Sequence, residues 1–138
     1  MNPDLKQQLV AHEGLRLKPY TDTVGKLTIG VGRNLSDVGI SQEEAFALLE
    51  HDVDRAVAAC AQYAWFGTLN QVRQFALVDL MFNLGATKFS KFKLMIAALE
   101  RGDYAAAAGQ LRSSAWASQV QPARRDRIVH QLATGQNG

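Results

Sequence analysis

Cysteine, proline and long apolar stretches are scarce in this chain of 138 residues. The single cysteine, Cys60, excludes an internal disulfide, and its neighbours Ala58 and Ala59 indicate a small residue of a buried helical core. This composition is typical of a protein that folds in a reducing compartment. No apolar run approaches the roughly 20 residues of a membrane-spanning helix, and the first eight residues do not resemble a signal peptide. We therefore expect neither a membrane anchor nor a secretion signal.

Charged residues nearly balance over the whole chain, with a net charge of +2, but they are unevenly placed. Residues 1–69 carry six Lys and Arg against nine Asp and Glu, whereas residues 70–138 carry nine against four. The positive half can favour an anionic polymer such as the cell wall or a nucleic acid, but solvated side chains explain it equally well. Since +2 is low for a nucleic-acid binder, we expect no nucleic-acid partner.

The chain length predicts one compact domain, residues 1–138, with room for a core that needs no metal or disulfide. Asn2 and Pro3 are suited to the N-cap and first turn of a helix, which should end at Glu13 because Gly14 follows. Residues 27–31 then alternate apolar and polar, which indicates a strand.

The same stretch predicts a small sheet. Residues 23–26 are typical of a hairpin turn, whose first strand would carry Tyr20 and Asp22. A third short strand or an irregular return is expected near residues 34–39.

The rest of the chain predicts helices. Ser41 and Glu44 form a capping box, and the helix that they start should end near Tyr63. The next helix, about residues 69–84, is apolar on every side and should be central and buried. Shorter helices are expected near residues 90–100, 103–112 and 122–133.

Because the strand residues occupy one short block, the predicted fold class is α+β. A small β lobe would comprise about residues 15–40. A larger helical lobe would comprise about residues 41–138 together with the N-terminal helix.

Glu13 is the first candidate for a chemical role. It ends the first helix, on the same face as Leu5 and Leu9. The C-terminal end of a helix disfavours negative charge, as does partial burial, so both favour the protonated form that a general acid needs. A glutamate near a helix end that pairs with an arginine is the alternative interpretation.

Asp22 and Thr28 are the second and third candidates. Asp22 lies in the hairpin among hydroxyl residues, where a carboxylate should stay ionised, although an aspartate beside Gly25 is also typical of a turn. Thr28 faces the same side as Gly30 and Gly32, which leaves open space over the strand. The alternatives are a β-branched residue at an exposed strand position, and glycines that only mark a bulge.

Together, these residues fit glycoside hydrolysis. A carboxylic acid at a helix end can face a carboxylate and a hydroxyl on a short sheet across a cleft. In an inverting glycosidase one carboxyl group protonates the leaving oxygen while the other activates water from the opposite face of the sugar.

Residues 13–35, EGLRLKPYTDTVGKLTIGVGRNL, resemble the catalytic segment of the phage-type lysozymes, glycoside hydrolase family 24, the family of the T-even phage lysozyme. The family pattern is Glu, eight residues, Asp or Cys, five residues and Thr, which Glu13, Asp22 and Thr28 match. The segments SQEEAFALLEHDVDRAV, ALVDLMFNLG and PARRDRIV extend the resemblance over nearly the whole chain. It implies a mainly helical, two-lobed lysozyme-like fold with a reduced β lobe.

The resemblance also implies roles for individual residues. Glu13 would be the acid, and Asp22 would hold or activate water with help from Thr28. Arg124 matches the family arginine that forms an ion pair with the catalytic glutamate. Arg33 departs from the family, where a histidine is common. Substrate contacts are expected at Asn34, Phe82, Asn83, Met95 and Gln110, of which only Phe82 matches the family.

By this resemblance the chain is expected to be a muramidase, or endolysin, that cleaves β-1,4 bonds between N-acetylmuramic acid and N-acetylglucosamine with inversion. Its partner would be the glycan strands of peptidoglycan, its default state a monomer, and no cofactor is expected. It would fold in the host cytoplasm and reach the periplasm and cell wall after release by a holin. A prophage enzyme or a virion-associated enzyme is equally compatible with the sequence.

Three other functions stay open at this stage. The first is a module that binds the wall without cleaving it, for which a full set of Glu, Asp and Thr is unnecessary. The second is a nucleic-acid binder that uses Arg124, Arg125 and Arg127. The preferred interpretation of these residues is that one arginine reaches the cleft and the other two are solvated. The third is a lytic transglycosylase, which forms an anhydro sugar without water.

No metal is expected. His12 and Glu13 lack the second histidine of a zinc-protease helix, since Arg16 stands at that position. Asp52 and Asp54 lie in a predicted helix and not in a calcium-binding loop.

Overall fold

A computed structural model describes residues 2–138 of the chain. Over these residues the chain forms three strands, eight α-helices and one 3₁₀ turn at Phe66–Thr68. The strands are β1 (Arg16–Thr21), β2 (Leu27–Gly30) and β3 (Arg33–Asn34). The helices are α1 (Pro3–Glu13), α2 (Gln42–Ala61), α3 (Gln71–Leu84), α4 (Ala86–Ser90), α5 (Lys93–Glu100), α6 (Tyr104–Arg112), α7 (Ala115–Gln119) and α8 (Pro122–Thr134). The predicted α+β class is confirmed.

The chain divides into two compact units, Met1–Leu48 and Leu49–Gly138. The division falls within α2, and it places α1 in the same unit as the sheet. The organisation as a single domain stays a prediction. None of the helices formed by residues 2–138 combines the length and hydrophobicity that crossing a membrane requires.

Helix α1 begins and ends where the sequence predicts. The Asn2 side chain accepts a hydrogen bond from the backbone N–H of Asp4 at 2.7 Å, as an N-cap residue does. After Glu13 the helix stops, and the N–H of Gly14 donates to the carbonyl of Val10 at 2.8 Å. This termination fixes Glu13 as the last residue of the helix.

The three strands form an antiparallel sheet in the order β1-β2-β3. Tyr20, Thr28 and Asn34 are register partners and form one row across it. The pairing of β1 with β2 is irregular between Arg16 and Tyr20. The predicted hairpin is confirmed, although β1 ends at Thr21 and does not include Asp22. The third strand comprises only Arg33 and Asn34, and residues 35–38 form turns.

The connection from β3 to α2 is held by two linked interactions. The Ser41 hydroxyl accepts from the N–H of Glu44 at 3.0 Å, and Glu44 accepts from the N–H of Ser41 at 2.9 Å, which confirms the capping box. Arg33 donates to both carboxylate oxygens of Glu44, at 2.9 and 2.8 Å, and to the carbonyl of Gly39 at 3.1 Å. The guanidinium therefore ties β3 to the first turn of α2.

The second unit contains the hydrophobic core. Helix α3 contributes four buried residues, and α8 packs against both α3 and α6. Phe75 and Phe82, on other faces of α3, do not belong to this core, so the expectation of a helix buried on every side is only partly confirmed. The fully buried side chains of the core include Leu77, Leu80, Phe89, Leu99, Leu111, Ile128 and Leu132.

Cys60 lies in this core, as predicted. It is 1% exposed, and its thiol is 3.6 Å from the carbonyl oxygen of Leu77. Burial raises the pKa of the Cys60 thiol to about 11. The side chain therefore stays protonated and serves packing.

Arg73 fastens the end of α8 to α3. Its guanidinium donates to the carbonyls of Leu132 and Ala133, at 2.9 and 3.2 Å, and lies 3.8 Å from the centre of the Tyr104 ring. Asn70 adds a hydrogen bond to the carbonyl of Gly135 at 3.1 Å. The last carbonyl groups of α8 thereby find partners that the helix itself cannot supply.

The main helices lie close to their predicted positions, but two short ones were not predicted. α4 and α7 have five residues each. Segments of this length show little periodicity, so their helical state depends on the packing of Phe89 and Trp116 into the core.

The ion pair between Arg33 and Glu44 leads to a prediction about pH and stability. The hydrogen bonds from Arg33, followed by that from the backbone of Ser41, lower the pKa of Glu44 from 4.5 to about 2. A lowered pKa in the folded state stabilises the fold above the unfolded value and is lost as the pH falls toward 2. Glu44→Gln should therefore lower the thermal unfolding midpoint near neutral pH, and the difference from the wild type should vanish near pH 2.

Glu43→Gln is the matched control, because it removes the same charge from the same turn of α2 and forms no ion pair within residues 2–138. Calorimetry of the three proteins over this pH range makes the comparison. Equal pH profiles for the two variants would contradict a role for the ion pair.

Candidate active site

Glu13 lies against the turn between β2 and β3. A Cβ atom built on Gly32, in that turn, would be 2.7 Å from Oε2 of Glu13 and 3.0 Å from its Cδ. The carboxylate therefore occupies the space that a side chain at position 32 would need. Glu13 is nevertheless exposed, so the partial burial expected from the sequence is not found. No residue of the first unit, described from Asn2, donates a hydrogen bond to this carboxylate.

Asp22 follows β1 and closes the hairpin. Its Oδ1 accepts hydrogen bonds from the N–H groups of Val24 at 3.0 Å and Lys26 at 2.8 Å. Its backbone pairs with Lys26 as well, at 2.9 Å. The interpretation of Asp22 as a turn residue is thus correct, and it leaves Oδ2 without a donor from residues 2–48, so this oxygen is available to a water molecule.

Thr28 lies in the middle of the sheet, on β2. Only 3% of the residue is exposed, which excludes the interpretation as an exposed strand residue. Its hydroxyl donates to the carbonyl of Lys26 at 3.0 Å. The backbone N–H of Lys26 also donates to the Asp22 carboxylate. The Thr28 hydroxyl and the Asp22 carboxylate are therefore bound to the carbonyl and the N–H of the same residue.

Two further predicted residues of this unit have structural partners. Arg33, which stands where the family commonly has histidine, is engaged by Glu44. Asn34 accepts a hydrogen bond from the N–H of Asp37 at 2.9 Å and donates to its carboxylate at 3.1 Å. The predicted substrate contact at Asn34 would require this loop hydrogen bond to rearrange or to be shared.

In the second unit, two predicted contact residues line one groove, and a third is hydrogen-bonded to a lining residue. Met95 and Gln110 line this groove, whose volume is about 580 Å³. Met95, however, is only 1% exposed and belongs to the hydrophobic core, which disfavours the predicted substrate contact at this residue. Trp116 also lines it, and its indole N–H donates to the side-chain oxygen of Asn83 at 2.8 Å. The lining residues are Leu84, Lys88, Lys91, Phe92, Lys93, Leu94, Met95, Gln110, Ser113, Ser114, Ala115, Trp116 and Gln119.

Lys88, Lys91 and Lys93 were not predicted as site residues. They are all the lysines of the second unit, and none forms an ion pair within residues 2–138. The sequence could have indicated this cluster of positive charge, because no acidic residue occurs between Asp79 and Glu100. The groove therefore combines an apolar lining with an unbalanced positive charge.

Phe82 and Arg124 line a different, mainly apolar cavity of about 520 Å³. Arg124 donates through Nε to the Asp79 carboxylate at 2.8 Å and through Nη2 to the Asp79 carbonyl at 3.1 Å. The sequence did not identify Asp79 as the partner of this arginine. Glu13 belongs to the first unit and Arg124 to the second, so their pairing stays a prediction.

No group of three or more histidine, cysteine, aspartate or glutamate side chains within residues 2–138 could hold a metal ion. The chemistry accessible to the first unit is that of carboxylates and a hydroxyl. Glu13 can exchange a proton, and Asp22 can accept a hydrogen bond from water.

A family model described as phage lysozyme matches residues 10–127. The chain is 29% identical to a protein named probable T4-type lysozyme 2 of Dictyostelium discoideum, over 98% of this chain and 96% of that protein. It is 37% identical to an endolysin of Acyrthosiphon pisum secondary endosymbiont phage 1, over 72% of this chain and 68% of that protein. An SAR-endolysin of Escherichia phage Mu is 35% identical, over 77% of this chain and 63% of that protein.

These matches define the class as glycoside hydrolases of the lysozyme type. Within it, the chain belongs to the phage lysozyme family, as the segment around Glu13 indicates.

The hydrogen bonds of Asp22 allow its structural contribution to be separated from its charge. Asp22→Asn keeps an oxygen at the same position, so both backbone N–H groups keep their acceptor and the hairpin should remain stable. Asp22→Ala removes the acceptor for both and should lower the free energy of unfolding by roughly 1 kcal/mol. Chemical denaturation of the two variants tests this, and equal losses of stability would show that the oxygen does not hold the turn.

Proposed function

We propose that this enzyme hydrolyses the β-1,4 bonds between N-acetylmuramic acid and N-acetylglucosamine in bacterial peptidoglycan, and that it inverts the anomeric configuration. The main observation in support is that one compact unit contains the Glu13 carboxyl group, the Asp22 carboxylate and the Thr28 hydroxyl. Their spacing matches the catalytic segment of the family, and the family match covers all three.

In the proposed reaction Glu13 donates its proton to the glycosidic oxygen as the bond to the anomeric carbon breaks. A water molecule attacks that carbon from the opposite face and passes a proton to Asp22. Both carboxyl groups return to their starting states when Asp22 loses this proton and Glu13 regains one from solvent. No covalent sugar–enzyme intermediate forms.

The surroundings of Asp22 are suited to holding a water molecule. Oδ1 accepts hydrogen bonds from two backbone N–H groups, which orient the carboxylate. Oδ2 then faces the water, with the hydroxyl of Thr28 as the second group that positions it. We also propose, from the family resemblance alone, that Arg124 forms an ion pair with Glu13.

The groove of the second unit is the proposed binding surface for the wall. Gln110 and the Asn83–Trp116 pair would contact sugar or peptide above the buried Met95, while Phe82 and Asn34 would contribute from other parts of the chain. Peptide stems carry carboxylates, and the lysines of the groove complement their charge. We further propose that the protein is a monomer, encoded by a phage, that folds in the host cytoplasm and acts on the wall after holin-type release.

Loss of the acid is the primary test. Glu13→Gln should lower the rate of clearing of a cell-wall suspension by about 10²- to 10⁴-fold, because general acid catalysis contributes on that order. Glu43→Gln, the same change elsewhere in the unit, should retain activity, and circular dichroism should show that both variants are folded. Unimpaired lysis by Glu13→Gln would disprove the assignment of the acid.

The products distinguish hydrolysis from the alternatives. Digestion in H₂¹⁸O should place one ¹⁸O atom at the new reducing end, detected by mass spectrometry, whereas a transglycosylase leaves an unlabelled 1,6-anhydro sugar. Proton NMR should show the α-anomer first if the configuration inverts. Intact glycan after long incubation would indicate a wall-binding module without activity.

The charge of the groove can be tested with a triple variant. Replacing Lys88, Lys91 and Lys93 with Gln should weaken binding to isolated walls about tenfold at low salt, and less at high salt because ions screen the attraction. A control with Arg55, Arg101 and Arg127 replaced by Gln removes the same charge from exposed positions outside the groove. Co-sedimentation measures both, and equal losses would mean that total charge, and not the groove, governs binding.

A further inference from the structure

We propose that Gly32 is a positioning residue for Glu13: the missing side chain at this position creates the space in which the carboxyl group is held for proton transfer. The proposal deepens the proposed function, on which it rests, by adding a requirement at a position that makes no chemical contribution of its own.

The first argument is the closeness of the approach. A Cβ atom on Gly32 would be 2.7 Å from Oε2, 3.0 Å from Cδ and 3.2 Å from Cγ of Glu13. All three distances lie within van der Waals contact, so even a methyl group would overlap the carboxyl group. No donor of residues 2–48 binds the carboxylate, so no hydrogen bond within that unit accounts for its place beside Gly32.

The second argument concerns which atoms would move. The overlapping atoms belong to the free end of a side chain and not to backbone, so Glu13 can rotate away from an added methyl group at low cost to the fold. A displaced acid is costly to the reaction, because proton transfer needs the acid within hydrogen-bonding distance of the leaving oxygen. The loss should therefore appear in catalysis more than in stability.

Backbone conformation must be separated from this contact. Gly32 has a φ of +65°, which disfavours any L-residue regardless of space. Gly39, in the same unit, has a φ of +67° and no atom within 4 Å of a built Cβ. Gly39→Ala therefore introduces the same backbone strain without the overlap, and it is the matched control.

The experiment compares Gly32→Ala and Gly39→Ala with the wild type on soluble peptidoglycan fragments. Both should lose similar thermal stability. Gly32→Ala should lower kcat by about 10²-fold, the effect expected for a shift of about 1 Å in a catalytic group, with KM unchanged. Gly39→Ala should retain the wild-type kcat. Equal kcat values for the two folded variants would overturn the proposal.

A second measurement does not depend on activity. The carboxyl ¹³C resonance of Glu13, assigned by its loss in Glu13→Gln, should shift in Gly32→Ala and stay in place in Gly39→Ala. An unchanged resonance in Gly32→Ala would overturn the proposal even if lysis fell. If the wild type cleaves no glycan, the proposed function fails, and this resonance still tests the contact.

If Gly32→Ala does not fold, the double variant Glu13→Ala/Gly32→Ala decides the matter, because it removes the overlapping carboxyl group. Recovery of folding in the double variant supports the contact. If the double variant is unfolded while Gly39→Ala is folded, the glycine serves the backbone alone and the proposal is wrong.

Discussion

The approach of the Glu13 carboxylate to Gly32 is the constraint on which the candidate site depends. It requires α1 to end at residue 13 and the β2–β3 turn to present bare backbone at the same place. The N-cap at Asn2 and the stop at Gly14 set the length of α1, while the sheet register sets the turn. A small change in either element would move the acid away from the sheet that carries Asp22 and Thr28.

Asp22 shows how one side chain can serve both the fold and the proposed chemistry. One of its oxygens organises the hairpin through two backbone hydrogen bonds, and the same bonds orient the other oxygen. The two backbone N–H dipoles that orient the carboxylate are already in place before a reaction begins. Dipoles that need no reorganisation are an advantage in electrostatic catalysis. Thr28 is fixed in a related way, through the carbonyl of Lys26. The sheet is short, but its hydrogen bonds specify the positions of both functional groups.

The second unit combines a stable core with surfaces suited to a charged polymer. Its helices bury a continuous set of apolar side chains, and Arg73 and Asn70 fasten the end of α8. Around this core, the lysine-lined groove brings together residues from the end of α3 to the end of α7. The positive charge of the second unit is therefore unevenly distributed. All of its lysines lie at one groove, whereas none of its arginines lines this groove and several form ion pairs.

Local patterns determined the elements of this protein: the caps of α1 and α2, the hairpin, the main helices and the spacing of Glu13, Asp22 and Thr28 all follow from residues close together in the chain. Only the tertiary structure decided that Gly32 receives the Glu13 carboxylate, that Asp79 holds Arg124 and that Glu44 holds Arg33. The helical state of α4 and α7 was also decided there, because so short a segment is stable only when packed. Contacts between distant residues depend on how elements pack, and periodicity within one element carries no information about its neighbour.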